Sequence, residues 1–190
     1  MIAKGGFVVR IQLLLAAALG LSVLSLPHDV CADESAEAPA PSLEGTYAPQ
    51  NPKAAQAVID NAIESVVQEM NFIKRPFARS RLRDTNPLLT QVRFQRQDDL
   101  LIYTYNAGNV IRLVPNGPAI RWKSPADGNT YETKATLVGR RFTLFFKGEE
   151  GSKKEVFELG ADGTTLTVHS VITSPQLPKA LEIRYTLKRK

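Results

Sequence analysis

The sequence predicts a mainly β fold: an antiparallel, up-and-down meander that closes into a small barrel, preceded by one N-terminal amphipathic helix. Three observations lead there. From Leu89 onward, short runs alternate apolar and polar residues and are cut by turn residues at the spacing of an all-antiparallel protein. The connections are too short for crossovers, so consecutive strands must run up and down. About nine such strands sharing one apolar face do not stay flat; they curl into a barrel or close as two sheets.

The strands can be taken in turn. In 181–187, Leu181, Ile183, Tyr185 and Leu187 face one way and Glu182, Arg184 and Thr186 the other. In 131–137, Tyr131, Thr133, Ala135 and Leu137 oppose Glu132, Lys134 and Thr136. Leu166, Val168 and Ile172 share a face in 164–173. Further runs are 92–96, 100–105, 109–114, 119–123, 142–147 and 155–159. Asn116-Gly117, Asp127-Gly128 and Asp162-Gly163 favour tight hairpins, because those turns need positive φ.

The helix starts at Asn51-Pro52, a capping residue followed by proline at the first helical position. Ala55, Val58, Ile59, Ala62, Ile63, Val66, Val67 and Met70 then recur at helical spacing, predicting a helix over about 52–73 with one buried stripe. Pro76 ends the pattern, and 78–83 offers a short second helical piece.

Ahead of these elements the first 32 residues have the order of a cleavable signal peptide. Lys4 and Arg10 come first, then an uncharged apolar stretch over 11–26, then Pro27 and the small residues Val30-Cys31-Ala32. The apolar stretch is shorter than the roughly 20 residues of a spanning helix. Cleavage after Ala32 of the 190-residue chain would leave no transmembrane anchor and no cysteine, since Cys31 is the only one. Residues 33–42, acidic and proline-punctuated, read as a disordered linker, and 43–190 as a single helix-plus-barrel domain. An exported domain without disulfides points to the bacterial periplasm or a secreted bacterial protein.

Charge narrows the partners. From residue 48 on there are 22 Lys and Arg against 14 Asp and Glu, because only Lys4 and Arg10 precede it. A basic domain favours anionic partners. Lys74, Arg75, Arg79, Arg81 and Arg83 place five cations in ten residues with no acid among them. Two readings stand: a solvated basic connector, or contact with an anionic envelope component such as lipid head groups or lipopolysaccharide. Nucleic acid does not fit an exported chain whose basic run has no interleaved stacking aromatics.

Catalytic equipment is sparse. His169 is the only histidine beyond residue 32 and sits opposite Leu166 and Val168. There is no G-x-S-x-G elbow and no glycine-rich phosphate loop between a strand and a helix. No cofactor, metal site or catalytic residue is therefore expected, and the chain reads as a non-enzyme. What stands out instead are inward aromatics, of which Tyr105, Trp122, Tyr131 and Tyr185 combine a large apolar body with a polar handle. They are the candidate ligand-binding residues. Sequence leaves open whether the barrel is hollow or filled.

Leu43-Glu44-Gly45-Thr46-Tyr47, followed by a helical region and a long meander, resembles the L-x-G-x-W opening of the calycins, the superfamily of lipocalins and fatty-acid-binding proteins. The resemblance implies a barrel over 43–190 and a hydrophobic or amphipathic small molecule as partner. Two features depart from it. Tyr47 stands where those proteins have Trp, and the Arg-x-Tyr carboxylate clamp on the last strand has no counterpart. Arg184 and Tyr185 are neighbours, so they point to opposite faces.

Overall fold

The computed structural model describes residues 42–190 apart from Ala107 and Ala126. The expected signal peptide at 1–32 and the linker up to residue 41 lie outside the described residues. Those described all belong to one compact unit.

Among the described residues ten strands form a single antiparallel sheet. They are β1 (Gly45–Ala48), β2 (Val92–Gln97), β3 (Leu100–Tyr105), β4 (Asn109–Leu113), β5 (Ile120–Lys123), β6 (Thr130–Val138), β7 (Arg141–Lys147), β8 (Ser152–Leu159), β9 (Thr165–Thr173) and β10 (Leu181–Arg189). Two helices, α1 (Pro52–Val67) and α2 (Arg75–Thr85), come between β1 and β2. The strand order β4-β3-β2-β1-β10-β9-β8-β7-β6-β5 is a meander in which the first strand joins the last. Only the seam between β4 and β5 lacks hydrogen bonding, so the barrel is nearly closed. The nine expected strands are all present; the tenth is β1, whose four residues carry the Gly-x-Tyr motif.

The helical region differs in its breaks. The expected helix over 52–73 ends at Val67, and the expected short piece is a full second helix of 11 residues. Arg75 explains the break. It donates to the carbonyls of Gln68 (2.7 Å) and Met70 (3.0 Å), satisfying acceptors that the helix end leaves free. Asn51 caps α1 by accepting from the Ala54 N–H at 3.0 Å. Of the predicted stripe, Ile59, Ile63, Val66 and Val67 are buried with Ala55, whereas Val58 is exposed.

β1 meets β10 only at Arg189 and Lys188, so the rest of β10 has no strand beside it on that side. α1 packs along β10 there, and Lys179 holds its far end through Glu69 at 2.6 Å. α2 then reaches the β7–β8 turn through an Arg81–Glu150 ion pair. The helices thus complete the wall and cover one end of the barrel.

The opposite end is closed by Tyr47, which is fully buried. Its hydroxyl donates to the Leu43 carbonyl (2.9 Å) and accepts from Arg189 (2.8 Å), whose guanidinium lies 5.2 Å from the ring centre. Arg189 also donates to the carbonyls of Ser42, Glu44 and Gly163. Gly45 is required here: its φ is +140°, and a Cβ would stand 3.0 Å from the Arg189 guanidinium.

Candidate functional site

Alternation along each strand decides what faces the interior. On β8 the inward positions are Lys153, Glu155, Phe157 and Leu159; on β9, Leu166, Val168, Ser170 and Ile172. Cross-strand register then stacks these into rows. One row runs Ala135, Leu144, Glu155, Ser170 and Ile183; the next, toward the helices, includes Thr133, Phe146, Lys153 and Ile172. The helix-covered half therefore receives four polar side chains: Thr133, Lys153, Glu155 and Ser170.

Glu155 is 5% exposed. Its Oε1 is 2.8 Å from Lys153 Nζ and accepts from Ser170 Oγ at 3.2 Å. A buried carboxylate is costly unless paired and hydrogen-bonded, and both conditions are met on this one oxygen. Thr133 Oγ1, in contrast, is buried with no partner. A void of about 10 Å³ lies beside Glu155, bordered by Ile59, Asn86, Leu89, Ser170 and Tyr185. That is room for one water.

Three tyrosines surround the carboxylate electrostatically. Burial first, then the charge of Glu155, pushes the Tyr105 hydroxyl up to about 12 and Tyr103 and Tyr185 well above their ordinary value. All three stay neutral and protonated across the physiological range.

The four candidate ligand residues fall at this end, in two groups. Trp122 and Tyr131 pair across β5 and β6, with ring centres 6.3 Å apart, and Trp122 also meets Phe146 at 5.7 Å. Tyr131 lies against the backbone of Gly148, where a Cβ would come within 2.9 Å of the ring. Tyr105 stacks on Tyr103 at 5.2 Å, and Tyr185 is buried on β10. One polar handle is already engaged: Tyr131 donates to Asp127 at 2.5 Å. Burial pushes Asp127 up, but hydrogen bonds from Tyr131, Ser124 and Asn129 outweigh it and hold the carboxyl below its ordinary value.

Sequence reading does not single out Lys153, Glu155, Ser170 or Thr133. The signal is parity: Glu155 and Lys153 alternate in step with Phe157 and Leu159, so they had to face inward with them. His169, as expected, faces outward, 3.6 Å from Glu182. Among the described residues no group of three His, Cys, Asp or Glu side chains could hold a metal ion.

The basic segment is largely engaged within the molecule. Arg79 makes two bonds to Glu64 (2.5 and 2.9 Å), Arg83 bonds Asp60 at 3.0 Å, Arg81 pairs with Glu150, and Arg75 caps α1. Lys74 remains exposed beside three uncovered apolar side chains, Phe72 (73% exposed), Ile73 (63%) and Phe77 (76%). No helix among the described residues is long and apolar enough to cross a membrane. An open groove of about 470 Å³ runs between α1 and β10, where Val58 is the only large aliphatic side chain beside Arg184 and Lys188.

No family model matches the sequence, and no curated protein matches it. Solved structures do match the fold. A fatty acid-binding protein from brain tissue of Drosophila melanogaster is 17% identical, with a TM-score of 0.50, over 77% of this chain and 99% of that one. Lipid binding protein 8 of Caenorhabditis elegans, in its apo form, is 11% identical, with a TM-score of 0.51, over 77% of this chain and 94% of that one. The fold is calycin-like, as the Gly45-Thr46-Tyr47 opening implies.

Proposed function

We propose that this protein is a non-catalytic binder of a hydrophobic or amphipathic small molecule, taken up at the helix-covered end of the barrel. The observation that carries the reading is the polar cluster inside that end. A barrel interior that only had to be stable would have no use for a buried Glu155 carboxylate paired with a half-buried Lys153, or for an unpartnered Thr133 hydroxyl. The half-buried aromatics Tyr105, Trp122 and Tyr131 stand around it. The fold supports the reading, since the fatty acid-binding protein and the lipid binding protein named above share it. A void of about 10 Å³ holds no such ligand as it stands, so entry requires α2 or the mouth aromatics to move. Trp122 is the only tryptophan, so its emission reports this end alone. A saturable change on titrating apolar amphiphiles supports the proposal; no change, with no adduct in native mass spectrometry, overturns it.

Action outside the cytoplasm, in the periplasm or as a secreted bacterial protein, belongs to the proposal. Its support is the charged, apolar, small-residue order over residues 1–32. The mass of protein recovered from the periplasm or medium tests it.

A second reading, docking on an anionic envelope surface, draws on the exposure of Phe72, Ile73 and Phe77 around Lys74. Exposed apolar side chains beside a cation suit an anionic lipid interface. Co-sedimentation with phosphatidylglycerol vesicles but not phosphatidylcholine vesicles, lost in a Phe72→Ser/Phe77→Ser variant, is the expected result. The ion pairs of Arg79 and Arg83 leave these two arginines a secondary part in it.

A further inference from the structure

We infer that the ligand of the barrel carries a non-anionic head group that donates hydrogen bonds, such as a hydroxyl or an amine, and that the interior discriminates against a carboxylate. This rests on the small-molecule reading and specifies its ligand. Among the described residues the inward-facing charges of the helix-covered end are Glu155 and Lys153. Lys153 is already committed to Glu155 at 2.8 Å, and Ser170 also donates to that same oxygen. Both of these contacts fall on Oε1, so the inside of the barrel offers a carboxylate acceptor rather than a spare cation.

A fatty-acid carboxylate brought to this place would meet a like charge, and among the described residues no second inward-facing cation offsets it. Like charges in a buried site disfavour each other strongly. The arginine nearest in sequence to the inward Tyr185 is Arg184, and it faces outward on β10. A hydroxyl meets complementary groups instead. It can donate to Glu155, or pair with Thr133 Oγ1, which is buried without a partner in the row of Lys153. Satisfying an orphaned buried hydroxyl favours binding, because the group has already been removed from water in the free protein. An amine would donate to Glu155 with the added attraction of opposite charge. The three neutral tyrosines around Glu155 add no charge to this balance.

The test uses one chain length and three heads: decan-1-ol, decylamine and decanoate at neutral pH. Binding is followed by Trp122 emission and by native mass spectrometry. The alcohol and the amine should each bind at least ten-fold more tightly than the acid. Glu155→Gln should bring the acid to within about threefold of the alcohol. Decanoate binding the unaltered protein as tightly as decanol overturns the head-group inference and leaves the small-molecule reading standing. No binding of any of the three by either readout overturns both. The comparison on the unaltered protein decides the matter even if the variant fails to fold.

Discussion

At the β1 end of the barrel, Phe94, Tyr103, Phe142 and Phe157 fill the interior with ring centres 5.3–6.4 Å apart, and the Tyr47 hydroxyl has two partners. At the helix-covered end the interior holds an ion pair, a serine and a threonine hydroxyl with no partner. The same strands build both ends: Phe157 and Glu155 are two residues apart on β8 and face the same way. The difference teaches that barrel closure fixes which residues look inward but not whether the space they share is optimised for stability. One end is packed as a core should be. The other keeps groups that reduce stability, as binding sites do.

Substitutions can break this comparison or sharpen it. The largest effect is expected for Ile63→Asp, which puts a charge where α1 seals the helix-covered end and Ile63 is fully buried. A loss of about 4 kcal/mol or more is expected, with unfolding near ambient temperature. An unchanged thermal midpoint would mean that α1 does not bury this stripe. Phe157→Ala comes next. It empties the middle of the aromatic cluster and should cost about 3–5 kcal/mol in chemical denaturation. Tyr47→Phe keeps the ring but removes the hydroxyl that joins Leu43 to Arg189, and should cost about 1–2 kcal/mol.

The sign reverses at the other end. Thr133→Val replaces a buried orphan hydroxyl by a methyl of the same shape and should stabilise by about 1 kcal/mol. A loss of stability instead would show that this hydroxyl has an unseen partner, and the contrast between the ends would weaken.

The smallest effect is one of pH. Asp162, in the β8–β9 turn, accepts from the side chains and backbone of Thr165 and Thr164, which hold its carboxyl far below the ordinary range. A depressed folded-state value stabilises above the unfolded pKa of about 3.9, and that contribution is lost as pH falls below it. Asp162→Asn should therefore be less stable than the parent at neutral pH. The two denaturation midpoints should converge as the solution is acidified well below pH 4.

Much of this architecture was legible in the chain. Period-two alternation in 131–137 and 181–187 set strand faces. Asp127-Gly128 and Asp162-Gly163 set hairpins, whereas Asn116 adopts φ +63° in a turn at the seam, where β4 and β5 do not pair. The inward aromatics of β2 to β10 were legible by parity, because a side-chain period of two admits no third direction, whereas Tyr47 on the short β1 was not. The same arithmetic reached Glu155, yet a lone acid in a five-residue run gives no periodic signal that separates a buried carboxylate from a solvated one. That required its neighbours, and Lys153 is a neighbour in sequence while Ser170 and Thr133 are brought close only by register.

By itself, then, the sequence determined the meander, the turns, the helix start at Asn51 and the inward set, since each follows from local geometry and short-range periodicity. Tertiary structure decided the rest. It paired β1 with β10 across the whole chain, so that Arg189 covers Tyr47. It split the helical region at Arg75 and paired Arg79 and Arg83 of the basic run with Glu64 and Asp60 of α1. It filled one end of the barrel and left the other polar. These outcomes depend on which distant side chains share a space, and a one-dimensional pattern carries no record of distance across the fold.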